Sequence, residues 1–67
     1  MMDAERIKQN LIKARGDKTM VAVSKETGIS VSALSMYESG DRVPRDEIKE
    51  RLAKYYGTTV GSLFFGE

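Results

Sequence analysis

The sequence predicts an all-α fold, a compact bundle of five helices, and three observations carry that expectation. Between Asp3 and Arg15 the apolar residues Ala4, Ile7, Leu11 and Ala14 recur at three- and four-residue spacing, which gives one helix face. Two matched sets of start and stop signals follow: Thr19 can cap a helix that Gly28 ends, and Ser30 can cap another that Gly40 ends. After Pro44, Ile48, Leu52, Tyr55 and Tyr56 return to helical spacing.

In chain order, the first helix spans about Asp3 to Arg15, with Asp3 as its candidate cap. Its stripe makes it a scaffold element, and Glu5, Arg6, Lys8, Lys13 and Arg15 form solvated faces. Gly16 supplies a left-handed turn, and Asp17 and Lys18 are too polar for a core. The second helix, Thr19 to Thr27, contains β-branched Val21 and Val23, so Met20 to Val23 can also be read as a strand. Its two caps, and the continuation Ser24, Lys25, Glu26, favour the helix.

The connection from Gly28 to Ser30 is so short that the second and third helices must cross steeply, as in a helix-turn-helix. On a wheel, the third helix, Val31 to Ser39, puts Ala33, Leu34 and Tyr37 on one side. Val31, Ser32, Ser35 and Met36 occupy the other, a small and uncharged face where a solvated surface would carry lysine and glutamate. Such a face suits a groove.

Gly40 can adopt the left-handed conformation after this helix and expose backbone N–H groups, while Arg42 and Arg45 flank the rigid Pro44. The fourth helix runs from Arg45 or Asp46 to Tyr56, with acidic Asp46 and Glu47 at its positive end and Glu50 four residues before Lys54. Ile48, Leu52, Tyr55 and Tyr56 are its buried side. Gly57 ends it, Thr59 caps a last short helix, and Val60, Leu63, Phe64 and Phe65 close the chain. One short face cannot bury both phenylalanines against so small a core, so one of them is expected to face a second subunit, with Leu63, Phe64 and Phe65 as the candidate dimer surface, against the plainer alternative that both aromatics fold back onto the first helix.

Composition bounds the function. Sixty-seven residues allow one domain, 1–67, with a limited core, and there is no cysteine to staple it. Its stability must come from helix packing or from a second copy. Eleven basic and ten acidic residues leave a net charge of +1, which excludes a strongly basic coat but not a basic face. With no histidine, no cysteine and no glycine-rich phosphate loop, neither an enzyme nor a metal or other cofactor is expected. No apolar run can span a bilayer and the polar start does not resemble a secretion signal, so a cytoplasmic protein without membrane attachment is expected.

Thr19, Val23-Ser24, Gly28, Ser30, Leu34, Glu38-x-Gly40 and Pro44, then a helix and Gly57-x-Thr59-Val60-x-x-Leu63-Phe64, together resemble the Cro and phage-repressor type of helix-turn-helix domain, the lambda-repressor-like fold. The likeness runs from about Ile7 to Phe65. Arg15 to Thr19 and Val43 to Ile48 are similar to stretches of small repressor-like proteins of phages and mobile elements. The resemblance implies double-stranded DNA as partner, a recognition helix in the major groove, and a loop after it that grips phosphates. It also implies a pair between a basic residue six before the capping threonine and the glutamate near the end of the recognition helix. Those positions are Lys13 and Glu38, and lysine lacks arginine's two-pronged fork, so a weak tie is expected.

Several positions depart from the family pattern. Lys18 stands where an apolar residue is usual, with Met20 able to fill part of the space. Ser24 stands where alanine is usual, and fits if its hydroxyl bonds back to the helix. Met20 replaces a glutamine that helps hold the DNA backbone, and Asp41 replaces a lysine. Backbone N–H groups at the Thr19-Met20 helix start can still meet a phosphate.

The reading that follows assigns base contact to Val31, Ser32, Ser35 and Met36, since a helix in the major groove reads bases near its N-terminal end. Phosphate contact falls to Thr19, Met20, Lys18, Lys25, Gly40, Arg42 and Arg45, with Arg42 and Arg45 foremost. A surface ion pair with Glu38 or Asp46 is the bland alternative for either arginine. A sequence-specific regulator, a small repressor acting as a homodimer and open to control by a regulatory protein, is the leading function. Its rival is a protein-interaction module or antitoxin-like partner-binding protein on the same fold, which Asp41, Met20 and the near-neutral charge favour.

Overall fold

The computed structural model describes residues 4–65 and contains, among these, five helices and no strand: α1 (Ala4–Arg15), α2 (Met20–Thr27), α3 (Val31–Ser39), α4 (Asp46–Tyr55) and α5 (Val60–Phe65). The candidate cap Asp3 and the side chain of Ala4 lie outside the described residues. α1 packs against α3 and α5, α2 against α3 and α4, and α4 against α5. No helix of the described residues is long and apolar enough to cross a membrane.

Local signals act where they were expected. The Thr19 hydroxyl accepts the N–H of Ala22, and the Ser30 hydroxyl accepts that of Ala33. Gly28 and Gly40 have φ of 79° and 83°, a left-handed conformation that costs a residue without Cβ little. These caps decide the α2 ambiguity: Val23 is fully buried and Val21 exposed, on a helix and not on a strand. The turn is further held by Thr27, whose hydroxyl donates to the Val23 carbonyl and accepts the N–H of Ile29.

The core comprises Ile7, Leu11, Val23, Ile29, Leu34, Tyr37, Leu52, Ala53, Leu63 and Phe64. Each large side chain among them contributes about 1.5–3 kcal/mol by leaving water. Met20 and Ala33 pack at its edge. Pro44 is also buried, which anchors the α3–α4 loop.

Three expectations are corrected here. Leu63 and Phe64 are spent inside the protomer, Phe64 only 1% exposed, so of the candidate dimer residues Phe65 alone remains at the surface, 41% exposed. The short α5 resolves the crowding by splitting the pair, because adjacent residues on a helix point about 100° apart. On α4 the buried side is rotated toward Lys49 and Ala53, while Ile48, Tyr55 and Tyr56 are only half-buried. The buried Lys49 lies 3.6 Å from Asp46 and within 6 Å of both phenylalanine rings, at 5.9 Å from Phe64 and 5.4 Å from Phe65. The ion pair on the outer face joins Glu47 to Arg51, at 3.3 Å, rather than Glu50 to Lys54.

Candidate nucleic-acid interface

Two groups brace the α2–α3 pair against the scaffold, and the first is a guanidinium. Arg15 Nε donates to both oxygens of Glu38, at 3.0 and 2.8 Å, while Nη1 donates to the Lys18 carbonyl at 2.7 Å. The partner of Glu38 is therefore Arg15, not Lys13. Arg15 lies four residues beyond Leu11, over the core stripe, whereas Lys13 lies two beyond it and projects from another side of α1. The tie is strong where a weak one was expected: Glu38 is 7% exposed, and the guanidinium reaches the end of α3 and the loop that starts α2 together. The hydrogen bond to Glu38, followed by its charge, raises the Arg15 pKa further above its usual value.

Tyr56 extends this brace inward. It lines a narrow internal space with Leu11, Leu34, Tyr37, Glu38 and Leu52. Burial, and then the nearby charge of Glu38, push its phenol up to about 12.

The second group lies at the surface. The Tyr55 hydroxyl donates to Glu26, Lys18 Nζ lies 3.7 Å from the same carboxylate, and that ammonium sits 5.3 Å from the Tyr55 ring centre. The bond from Tyr55 and then the charge of Lys18 lower the Glu26 pKa; Tyr55 and then Glu26 raise that of Lys18. Lys18 is thereby paired at the surface while staying exposed, which keeps it behind Arg42 and Arg45 as a phosphate candidate. Arg51 adds a long contact to the Thr27 carbonyl, at 3.4 Å, where α2 ends.

With its inner side held, α3 presents Val31, Ser32, Ser35 and Met36 together to solvent. Val31 and Met36 are 39% and 38% exposed. The hydroxyls of Ser32 and Ser35 have no hydrogen-bond partner among the described residues. All four residues assigned to base contact are brought onto one open face.

The residues assigned to phosphate contact divide. At the start of α2 the N–H groups of Met20 and Val21 find no acceptor among the described residues, and remain free for an anion. Met20 contributes only that backbone group, since its side chain packs at the core edge. Thr19 is occupied as a cap. Lys25, Arg42 and Arg45 are exposed and have no side-chain partner among the described residues, so neither arginine forms the ion pair with Glu38 or Asp46.

Gly40 does not expose its N–H as expected. The Met36 carbonyl collects the N–H groups of Gly40, of Asp41 at 3.0 Å and of Arg42 at 3.3 Å. This close of the helix consumes the backbone donors, so any grip from this loop belongs to the arginine side chains. Asp41 is turned back: the Ser39 hydroxyl lies 3.0 Å from both its carboxylate and the Met36 carbonyl. Its single proton serves one of them at a time.

A model of the helix-turn-helix family matches residues 6–63, nearly the whole of the described chain. The chain belongs to the helix-turn-helix family of Cro and phage-repressor type. It is accordingly a DNA-binding helix-turn-helix regulator, in a family of DNA binders rather than enzymes. No curated protein and no solved structure matches it. Around the helix-turn-helix, Arg15 was expected on a solvated face and instead holds Glu38, Tyr56 was expected on the buried side of α4 and is half-buried beside Glu38, and Lys49 had been given no role. Arg15 was accessible to wheel arithmetic, but a buried lysine carries no sequence signal distinct from a solvated one.

Proposed function

We propose that residues 1–67 form one domain acting in the cytoplasm as a homodimeric, sequence-specific repressor of phage or mobile-element type, with α3 in the major groove. The observation that carries this reading is the open face of Val31, Ser32, Ser35 and Met36 on a helix whose opposite side is locked by Arg15 and Glu38. Arg42, Arg45 and Lys25, with the free N–H groups of Met20 and Val21, supply the positioning contacts to phosphate. Binding of this kind weakens with salt, and each phosphate contact removed lowers the logarithmic slope by about 0.9.

The dimer reading rests on size and on Phe65. The chain measures 30 × 23 × 22 Å. Two copies side by side therefore suit successive major grooves about 34 Å apart. Phe65, backed by Lys49, is the apolar side chain left at the end of α5 to join them. Control falls to another protein, to concentration or to degradation.

The test is selection of random duplex DNA by the purified chain, with the mass of the complex measured. An inverted repeat bound by two chains is the expected result. Recovery of no sequence above background at low salt would reverse the reading, and the α3 face would then be sought against a protein partner, the reading that Asp41 favours.

A further inference from the structure

We infer that the α3 face distinguishes DNA chiefly by the C5-methyl group of a pyrimidine, so that 5-methylcytosine substitutes for thymine in its site. This rests on α3 lying in the major groove and adds what it reads there.

The inference comes from what the face holds and lacks. Its apolar groups are the exposed Val31 and Met36, and its free polar groups are the hydroxyls of Ser32 and Ser35. The other hydroxyls nearby are engaged, Ser30 in capping α3 and Ser39 between Met36 and Asp41. No amide or guanidinium stands among the four, so two-pronged recognition of adenine or guanine is unavailable to them.

Thymine shows the major groove a methyl group and an O4 acceptor, whereas cytosine shows an N4 amino donor and no methyl. A serine hydroxyl both donates and accepts, so it satisfies O4 and N4–H alike, and it treats the purine partner's edge with the same tolerance. The methyl group is therefore the feature that this face can distinguish. A cytosine carrying that methyl presents Val31 and Met36 with the surface thymine presents. Removing one buried methyl should cost about fourfold in affinity.

The experiment uses three random duplex libraries: one with thymine, one with uracil in place of thymine, and one with 5-methylcytosine in place of cytosine. Duplexes recovered from the first are then measured with single replacements. Thymine to uracil at positions facing α3 is expected to weaken binding about fourfold per methyl. A 5-methylcytosine pair there is expected to outdo the unmethylated cytosine pair by a similar factor. In Val31→Ala and Met36→Ala, both at exposed positions where little loss of stability is expected, the thymine-to-uracil ratio should approach one.

Indifference of a bound duplex to uracil at every position overturns the inference and leaves the DNA reading intact. A uracil effect that 5-methylcytosine does not restore, or that persists unchanged in both variants, also overturns it, since the methyl would then act through duplex shape. Failure to recover any duplex overturns the DNA reading beneath it instead.

Discussion

The two sides of α3 contrast within nine residues. On the inner side Leu34, Tyr37 and Glu38 are buried, and Glu38 is held through both oxygens by Arg15. On the outer side Val31, Ser32, Ser35 and Met36 are exposed, and the two serine hydroxyls have no hydrogen-bond partner among the described residues. The inner side determines where the helix stands, and the outer side is free to vary in what it touches. With the outer face proposed for recognition, stability and recognition divide between the two sides of one short element, and substitutions should report one or the other.

The largest effect belongs to the inner side. Arg15→Ala leaves a buried carboxylate without its partner and is expected to cost about 2–3 kcal/mol in urea unfolding, short of a fully buried pair because the guanidinium edge is wet. Arg15→Lys should recover part of that and not all, since a lysine cannot span Glu38 and the Lys18 carbonyl together. Equal stability of Arg15→Ala and wild type would break the contrast. Next come the caps: Thr19→Ala and Ser30→Ala should each cost about 1 kcal/mol by leaving the N–H of Ala22 or Ala33 unpaired, read by thermal melting.

Alkaline titration sharpens the inner side differently. The Tyr56 phenol ionises more readily in the unfolded chain than at its folded value of about 12. Between about pH 10 and that value the unfolded state holds fewer protons, so stability falls as pH rises. Tyr56→Phe should flatten that part of the melting curve against pH. The exposed Glu26 works in the opposite direction: its lowered pKa contributes stability that is present above the ordinary carboxylate range and lost as acid protonates it. Being at the surface, Glu26→Gln should move the acid limb only slightly, and a loss as large as that of Arg15→Ala would show the two braces to be equivalent.

Much of this was legible in the residues. The caps at Thr19, Gly28, Ser30 and Gly40 identify both helices of the motif, and wheel arithmetic separates the faces of α3, because caps and period act locally. What was not legible depended on direction in space. The pairing of Glu38 turned on which side of α1 a basic residue occupies, and family spacing pointed to Lys13 where the turn of the helix selects Arg15. Lys49 drew no reading of its own from the sequence, because nothing local marks it apart from a solvated lysine, and its ammonium lies near the Phe64 and Phe65 rings that only the folded chain brings to it. Gly40 was read as freeing N–H groups, and the Met36 carbonyl takes them.

The smallest effects on stability should come from the outer side, where Val31→Ala and Met36→Ala are expected to change unfolding by less than about 0.5 kcal/mol. The same variants test the central claim most directly. Val31→Ala, Met36→Ala and Arg42→Ala would each be measured for binding across one library of duplexes. The first two should change which sequences are preferred, whereas Arg42→Ala should weaken all of them alike and lower the salt dependence. A uniform loss in Val31→Ala and Met36→Ala, with the order of sequences unchanged, would contradict the assignment of this face to base reading.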